Sequence, residues 1–597
     1  MKTRTGKLAI VIAAWFLALA LGRASFADDA VPSEKRLPQE TVMFLSLRNF
    51  SDFKTQWSKT LFGQLEKEEA LAEFRDDFVK QFEEASKEFE GEVGVSLPEL
   101  FAIPHGEMTL AMFTGAAGQL SIVVMLDFGD REETVQKLLA KAGNGADNSG
   151  FKHSEEEIDD TRVNLYQKEG DGVPGLHDAY AYFVKDSFFV LGNSLDALKP
   201  VLSRWDGKHD STLSESDVYR YIVDRCRDEN SEAQPQLVWF IDPLTLVRSV
   251  FGAQPQAAAQ MALVMGMLPT LGVDKFKGAG GTLDMAHGEF DMVSRTLVYM
   301  ERPTKGLLNL FQFNSGAQAP PKWLSSEWSS YSSVNWSVSK AYSAVEGLID
   351  MFQGPGTLAQ IIQRMADDGQ FGNIHLKKDI LDQLTGKIDV VQDDGEGKGI
   401  LSSGVLVAAG VKNAAAFQKT LAKLARIDGV KLEEREFQGE TIYELDLPGL
   451  GAFGNDDDDD DDDDDEGGES NSKTFGIAVA ENHLLLASDV RLIERVLRGV
   501  DGRETLADSA AYKRISGKFP AQTASIGYTR QDSILKALYQ LTNLGKLGMG
   551  PDLSAFGFSK LPPIDTLKKY MPASGSFMEH DERGLRITSF SLRNESE

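Results

Sequence analysis

FVKDSFFVLGNSLDALKPVLSRWDGKHDSTLSESDVY, from Phe183 to Tyr219, returns as IAVAENHLLLASDVRLIERVLRGVDGRETLADSAAY from Ile477 to Tyr512. Val201-Leu202 meets Val496-Leu497 and Asp206-Gly207 meets Asp501-Gly502. After a two-residue gap, Leu213, Ser216 and Tyr219 meet Leu506, Ser509 and Tyr512. Each copy reads as an apolar strand, a polar start signal and a helical stripe. In the first these are Phe188 to Leu191, then Asn193 or Ser194, then Leu195, Leu198, Val201 and Leu202. In the second they are Leu484 to Leu486, then Ser488 or Asp489, then Leu492, Ile493, Val496 and Leu497. Asp-Gly stops each helix, because glycine tolerates the left-handed conformation that such a stop needs. Caps, core and stop are structural positions, so the repeat speaks to architecture rather than to a ligand.

Outward from the repeat, the same order of elements recurs. TVMFLSLRN from Thr41 reads as a strand and SDFKTQW from Ser51 as a helix. Strands at Glu107–Phe113 and Gln119–Phe128, a helix from Arg131 and a strand at Val163–Gln167 lead to a hairpin of Tyr180–Val184 with Phe188–Leu191. The later half offers a strand at Val334–Val338, a helix from Tyr342 and strands around Ile388 and Val405. A helix at Ala414–Ala425, a strand at Thr441–Leu445 and the second core copy follow. Paired strands between single helices favour hairpins over β-α-β winding. The expectation is an α+β protein made by tandem duplication of two homologous units, each an antiparallel or mixed sheet with helices packed mainly on one face. The divisions are a signal peptide at 1–27, a lead-in segment at 28–39, a first unit at 40–313, a Ser-, Pro- and Trp-rich linker at 314–333 and a second unit at 334–597.

The first 27 residues have the form of a secretory signal: Lys2, Arg4 and Lys7, then an apolar run from Leu8 to Gly22, then Ser25-Phe26-Ala27 as a small-x-small cleavage site. Export to the periplasm, cell surface or medium is therefore expected, with membrane contact only through an uncleaved signal. The net charge is −29, and loss of the signal, with four basic and no acidic residues, leaves −33. Such a chain repels nucleic acid and anionic headgroups. The single cysteine, Cys226, makes no intrachain disulfide, and a core of this size does without one.

Ten aspartates, Asp456 to Asp465, interrupt the second unit; like charges that bury nothing predict a disordered acidic loop at 454–473. Aligned on Gly467, a calcium loop would need a glutamate where Lys473 stands, so a specific calcium motif fails. The eight histidines show no metal-ligand spacing, and Gly170, Gly172 and Gly175 are followed by a strand instead of the helix that a dinucleotide site requires. Three Ser-x-x-Lys strings (Ser51/Lys54, Ser337/Lys340, Ser533/Lys536) lack the companion motifs of acylating enzymes and read as helix caps. No catalytic residue, cofactor or metal is expected. Carboxylate pairs for hydrolysis leave no spacing signature, so a carboxylate-dependent hydrolase stays an alternative.

From Ala257 to Leu268 the chain is apolar nearly all round and carries Met261, Met265 and Met267. It is shorter than a membrane span and reads as a buried helix, with an interface or a lid over an apolar ligand as the other readings.

LPQETVMFLSLRNFSDFKTQWSKTLFGQL, from Leu37 to Leu65, combines a Leu-Pro-x-x-Thr turn, an apolar strand and a helix with Trp57 and Phe62-Gly63. It resembles the opening of a family of exported bacterial proteins defined as a domain of unknown function. The resemblance implies export and supplies no activity, cofactor or functional residue. The functional expectation is an exported non-catalytic binding or scaffold protein, its site in the groove between or beside the two units, with a carrier or chaperone for an apolar ligand as the alternative.

Overall fold

Alternation of apolar and polar residues, as in Thr41–Leu47 (TVMFLSL), sends every second side chain to one face of a strand. A computed structural model gathers twenty strands, counted among the described residues, into one sheet. It describes residues 31–593 except 78, 81–85, 88–102, 116–118, 149–150, 169–178, 229–233, 253–254, 369–371, 395–403, 428–431, 446–473, 501, 534–535 and 537–559. The acidic run, the glycine string at Gly170 and the signal segment lie outside the described residues.

The earlier half runs β1 (Thr41–Leu47), α1 (Phe50–Trp57), α2 (Leu61–Leu65), β2 (Met108–Thr114), β3 (Leu120–Asp127), α3 (Glu132–Asn148), β4 (Phe151–Ile158), β5 (Thr161–Lys168), β6 (Ala179–Lys185) and β7 (Phe188–Gly192). It continues with α4 (Leu195–Leu202), α5 (Asp217–Cys226), β8 (Leu237–Ile241), α6 (Pro243–Gly252), α7 (Pro255–Leu271), β9 (Phe276–Met285) and β10 (Phe290–Met300). The later half runs β11 (Ser330–Asn335), α8 (Val338–Gln353), α9 (Thr357–Asp367), β12 (Leu384–Asp393), β13 (Gly404–Val411), α10 (Ala414–Leu424), β14 (Glu433–Phe437), β15 (Glu440–Leu445), β16 (Phe475–Ala480) and β17 (His483–Ala487). It closes with α11 (Val490–Leu497), α12 (Ala510–Ser516), β18 (Ser525–Thr529), α13 (Ile564–Leu567), β19 (Ser574–Asp581) and β20 (Gly584–Leu592).

Across the sheet the order is β4-β5-β6-β7-β3-β2-β1-β8-β9-β10-β20-β19-β18-β11-β12-β13-β17-β16-β15-β14, every neighbour antiparallel. The protein is thus mixed α+β on an antiparallel sheet. The pairing of β10 with β20 joins the halves edge to edge, and outward from that seam each strand stands where the strand ten positions later stands on the other side.

Local contacts match as well. The N–H of Leu213 donates to the carbonyl of Leu37 at 2.9 Å, and that of Leu506 to Leu324 at 2.8 Å. Ser216 and Ser509 cap α5 and α12 by accepting from Tyr219 N–H and Tyr512 N–H. Tyr219 meets Phe44 and Phe240 edge-on at 5.6 and 5.8 Å, and Tyr512 meets Tyr528 at 5.5 Å. Both helices approach the sheet over a glycine: a Cβ on Gly280 would lie 2.9 Å from Ile222 Cγ2, and one on Gly575 2.5 Å from Ile515 Cγ2.

Helices lie against both faces, which corrects the expectation of helices mainly on one. In the earlier half α4 and α5 cover Phe44, Val123, Met125, Phe183 and Val190, while α1 packs on Leu47, Met108 and Leu126 of the reverse face and α3 on Phe128. In the later half α11 and α12 cover Leu406, Ala408 and Leu485, and α10 takes Val411, Tyr443 and Val479 on the other side. Strands such as β3 are apolar at consecutive positions, Val123-Val124-Met125-Leu126, so both of their faces demand cover.

Parts of the expected lead-in and linker contribute to the core. Leu37 is fully buried, and the Arg36 guanidinium lies 4.3 and 3.9 Å from the ring centres of Phe188 and Trp205. Trp323, Leu324, Trp328 and Tyr331 are buried, and β11 starts inside the stretch expected to be a connection. Serine and proline composition masked these aromatic anchors. Two strands escaped the periodicity reading altogether, β4 (FKHSEEEI) and β14 (EEREF), because they form the free edges of the sheet and carry glutamates where inner strands carry apolar residues. Charge on an exposed edge discourages another chain from adding to it.

Candidate functional site

Between β10 and β11 the chain crosses from one half to the other. It first coils through a 3-10 segment, Gly306–Phe311, that is pinned to the start of α8: Trp336 Nε1 donates to the Leu310 carbonyl at 2.7 Å and Ser337 N–H to Gln312 at 2.9 Å. Between this crossover and α8 lies an open groove of about 930 Å³. One wall is Arg302, Pro303, Thr304, Asn309 and Gln312. The other is a single stripe of α8, Ser339, Ser343, Gly347 and Met351 at four-residue spacing, flanked by Lys340, Ala344 and Leu348. A Cβ added to Gly347 would meet no atom within 4 Å, so the glycine leaves the wall open.

The groove's polar groups divide into satisfied and available ones. Gln312 Nε2 donates to Thr304 Oγ1 at 2.9 Å, which donates to Asn309 Oδ1 at 2.7 Å. Arg302 donates to two carbonyls, of Asp581 and Gly584, at 3.5 and 3.4 Å. Among the described residues neither Arg302 nor Lys340 enters an ion pair. The α8 carboxylates lie off the lining: Asp350 accepts from the N–H groups of Gly356 and Leu358, and Glu346 from the Tyr342 hydroxyl. Apolar surface at Ala344, Leu348 and Met351 beside a few converging donors is the make-up of a small-molecule site.

A second, smaller groove of about 480 Å³ opens on the sheet at the seam. Its floor is set by register: Ser294, Ser589, Ser576, Gly527 and Ser332 stand opposite one another on β10, β20, β19, β18 and β11, beside a parallel row of Ser591, Ser574, Thr529 and Ser330. Phe62, Pro572, Tyr331 and Tyr528 also line it, and among the described residues no acidic or basic side chain does.

Met261, Met265 and Met267 lie on α7, the first two half-buried and Met267 39% exposed. Leu263 and Val264 beside them are 70% and 50% exposed, so the expected burial of this helix is corrected: it lies on the surface. α7 has no charged residue to mark an outer face, which is why its pattern left the orientation open. It touches the Gly306–Phe311 segment.

Ser51 of the first Ser-x-x-Lys string is not the cap that the sequence suggested, whereas Ser337 of the second does stand at a cap position. Asn49 caps α1, and Ser51, inside the helix, donates its hydroxyl hydrogen to the His105 carbonyl at 3.0 Å. Burial lowers Lys54 to about 8, with the nearby Arg131 adding to the effect. Ser337 occupies the cap position of α8 without a side-chain bond, and Ser533 donates to the Ser329 carbonyl. Among the described residues no group of three or more His, Cys, Asp or Glu is placed to hold a metal, and no helix is long and apolar enough to cross a membrane.

Comparison with protein-family models, with curated proteins and with solved structures finds no match to this chain.

Proposed function

We propose that this is an exported, non-catalytic binding protein of the periplasm or cell surface, built from two copies of one unit and holding its ligand in the crossover groove. The groove beside α8 carries the reading: it is open, large enough for a small molecule, and lined by donors and apolar groups with no carboxylate, histidine or cysteine. Duplication is supported by the matching strand order about the seam and by the paired bonds of Leu213 to Leu37 and Leu506 to Leu324. Export is supported by the basic, apolar and small-x-small pattern of residues 1–27 and by the resemblance at Leu37–Leu65.

Native mass spectrometry of the protein purified from the exported fraction of its host tests both parts. The expected result is a chain cut after Ala27 with a small-molecule adduct that Gly347→Phe, by filling the groove, abolishes. An adduct retained in that variant would remove the groove from consideration. A carrier for an apolar molecule is the second reading, favoured by the exposure of Leu263, Val264 and Met267; an adduct lost on Leu263→Ser but kept in Gly347→Phe would select it.

A further inference from the structure

We propose that the crossover groove takes a single-chain amphiphile with an anionic head, of which a fatty acid is the simplest example; this rests on the groove being the ligand site. Charge defines the head end. Among the described residues Arg302 and Lys340 are the only ionisable side chains in the lining, both are exposed, and no carboxylate shares the cavity with them. In a chain of net charge −29, two unmatched cations on one groove mark a place for the opposite sign. The backbone adds to this. Ser339 and Lys340 belong to the first turn of α8, where N–H groups have no acceptor within the helix, and Ser337 provides none from its side chain. A carboxylate seated between Lys340 and Arg302 would act as the missing cap.

The tail end follows from the next turns of the same helix. Ala344, Leu348 and Met351 continue the stripe with apolar surface, and Gly347 leaves the space between them unfilled. A sugar would leave both cations unmatched, and a compact polar anion would leave the apolar end wet. Only a molecule with both characters satisfies the whole groove.

The test is calorimetric titration of the full chain with dodecanoate, dodecanol and dodecyltrimethylammonium, each below its micellar concentration. Dodecanoate is expected to bind roughly tenfold or more tightly than dodecanol, with the ammonium compound weakest. Lys340→Glu, at an exposed position, should erase the preference for dodecanoate over dodecanol. Gly347→Phe should abolish binding of all three. Equal binding of dodecanoate and dodecanol, both lost in Gly347→Phe, would overturn the anionic head while keeping the groove as the site. No binding of any probe, or binding indifferent to Gly347→Phe, would overturn both.

Discussion

Arg48 holds Glu34 with two parallel hydrogen bonds, Nη1 to Oε2 at 2.5 Å and Nη2 to Oε1 at 2.8 Å, the side chains only 9% and 11% exposed. The pair ties the segment ahead of β1 to the strand's own end, and Glu107 completes it: its Oε1 lies 3.3 Å from Arg48 Nη1 and accepts from Ser46 Oγ at 2.6 Å, while its Oε2 accepts from Ser33 N–H at 2.9 Å. Breaking one partner of a buried pair leaves a charge without its match. Glu34→Ala is therefore expected to cost about 3 kcal/mol, read as a lower urea midpoint at pH 7; an unchanged midpoint would show that the Arg48–Glu34 pair adds nothing to stability.

The same cluster sets a pH dependence. Burial holds the Glu107 carboxyl above the usual glutamate range, with Arg48 pulling it down and the charge of Glu34 pushing it further up. A carboxyl raised on folding contributes stability that is complete below the ordinary glutamate range and is lost as the pH climbs through the folded value. Unfolding free energy measured upward from pH 4 should decline more steeply in the wild type than in Glu107→Gln, which cannot titrate. Equal slopes would exclude this group as the source.

Leu37 and Leu324 are both fully buried and both offer a carbonyl to the segment before a capped helix. Replacing either with alanine should cost about 2–5 kcal/mol, the range for a leucine deleted from a packed interior. Denaturant melts of the two variants should show losses of similar size; a loss confined to one would mean that the matched geometry carries unmatched energetics.

Gly280→Ala and Gly575→Ala each force a methyl group against an isoleucine and, at Gly280, to 2.6 Å from the Trp239 carbonyl oxygen. Overpacking of this kind costs about 1–3 kcal/mol. Gly266, inside α7 with nothing within 4 Å of its added Cβ, is the control: alanine there should stabilise by up to about 1 kcal/mol through helix propensity. Thermal melts moving in the same direction for all three would contradict the packing account.

Cys226, the last residue of α5, is fully buried, and burial pushes its thiol up to about 12. The thiolate is the reactive form, so native protein at pH 8 should resist a thiol reagent that labels it stoichiometrically in urea. Rapid labelling of the native protein would mean that α5 opens readily from the sheet.

What the sequence by itself determined are the features written in local pattern. Helix stripes such as Leu492, Ile493 and Val496, the cap at Ser194 and the hairpin of β6 with β7 need only periodicity and capping chemistry, and all are where the residues say. Tertiary structure alone decided the rest. No local signal reveals that β10 pairs with β20, because residues nearly three hundred positions apart meet there. None reveals that the glutamates of β4 and β14 sit on free edges, since their acidity reads as a loop until their place in the sheet is known. The crossover groove has the same origin: Arg302 and the α8 stripe through Lys340 and Gly347 carry no motif, and they form one surface only because Trp336 and Ser337 fasten the crossover to the helix. Periodicity reports which face of an element is buried, whereas which elements share that burial depends on contacts that chain order does not encode.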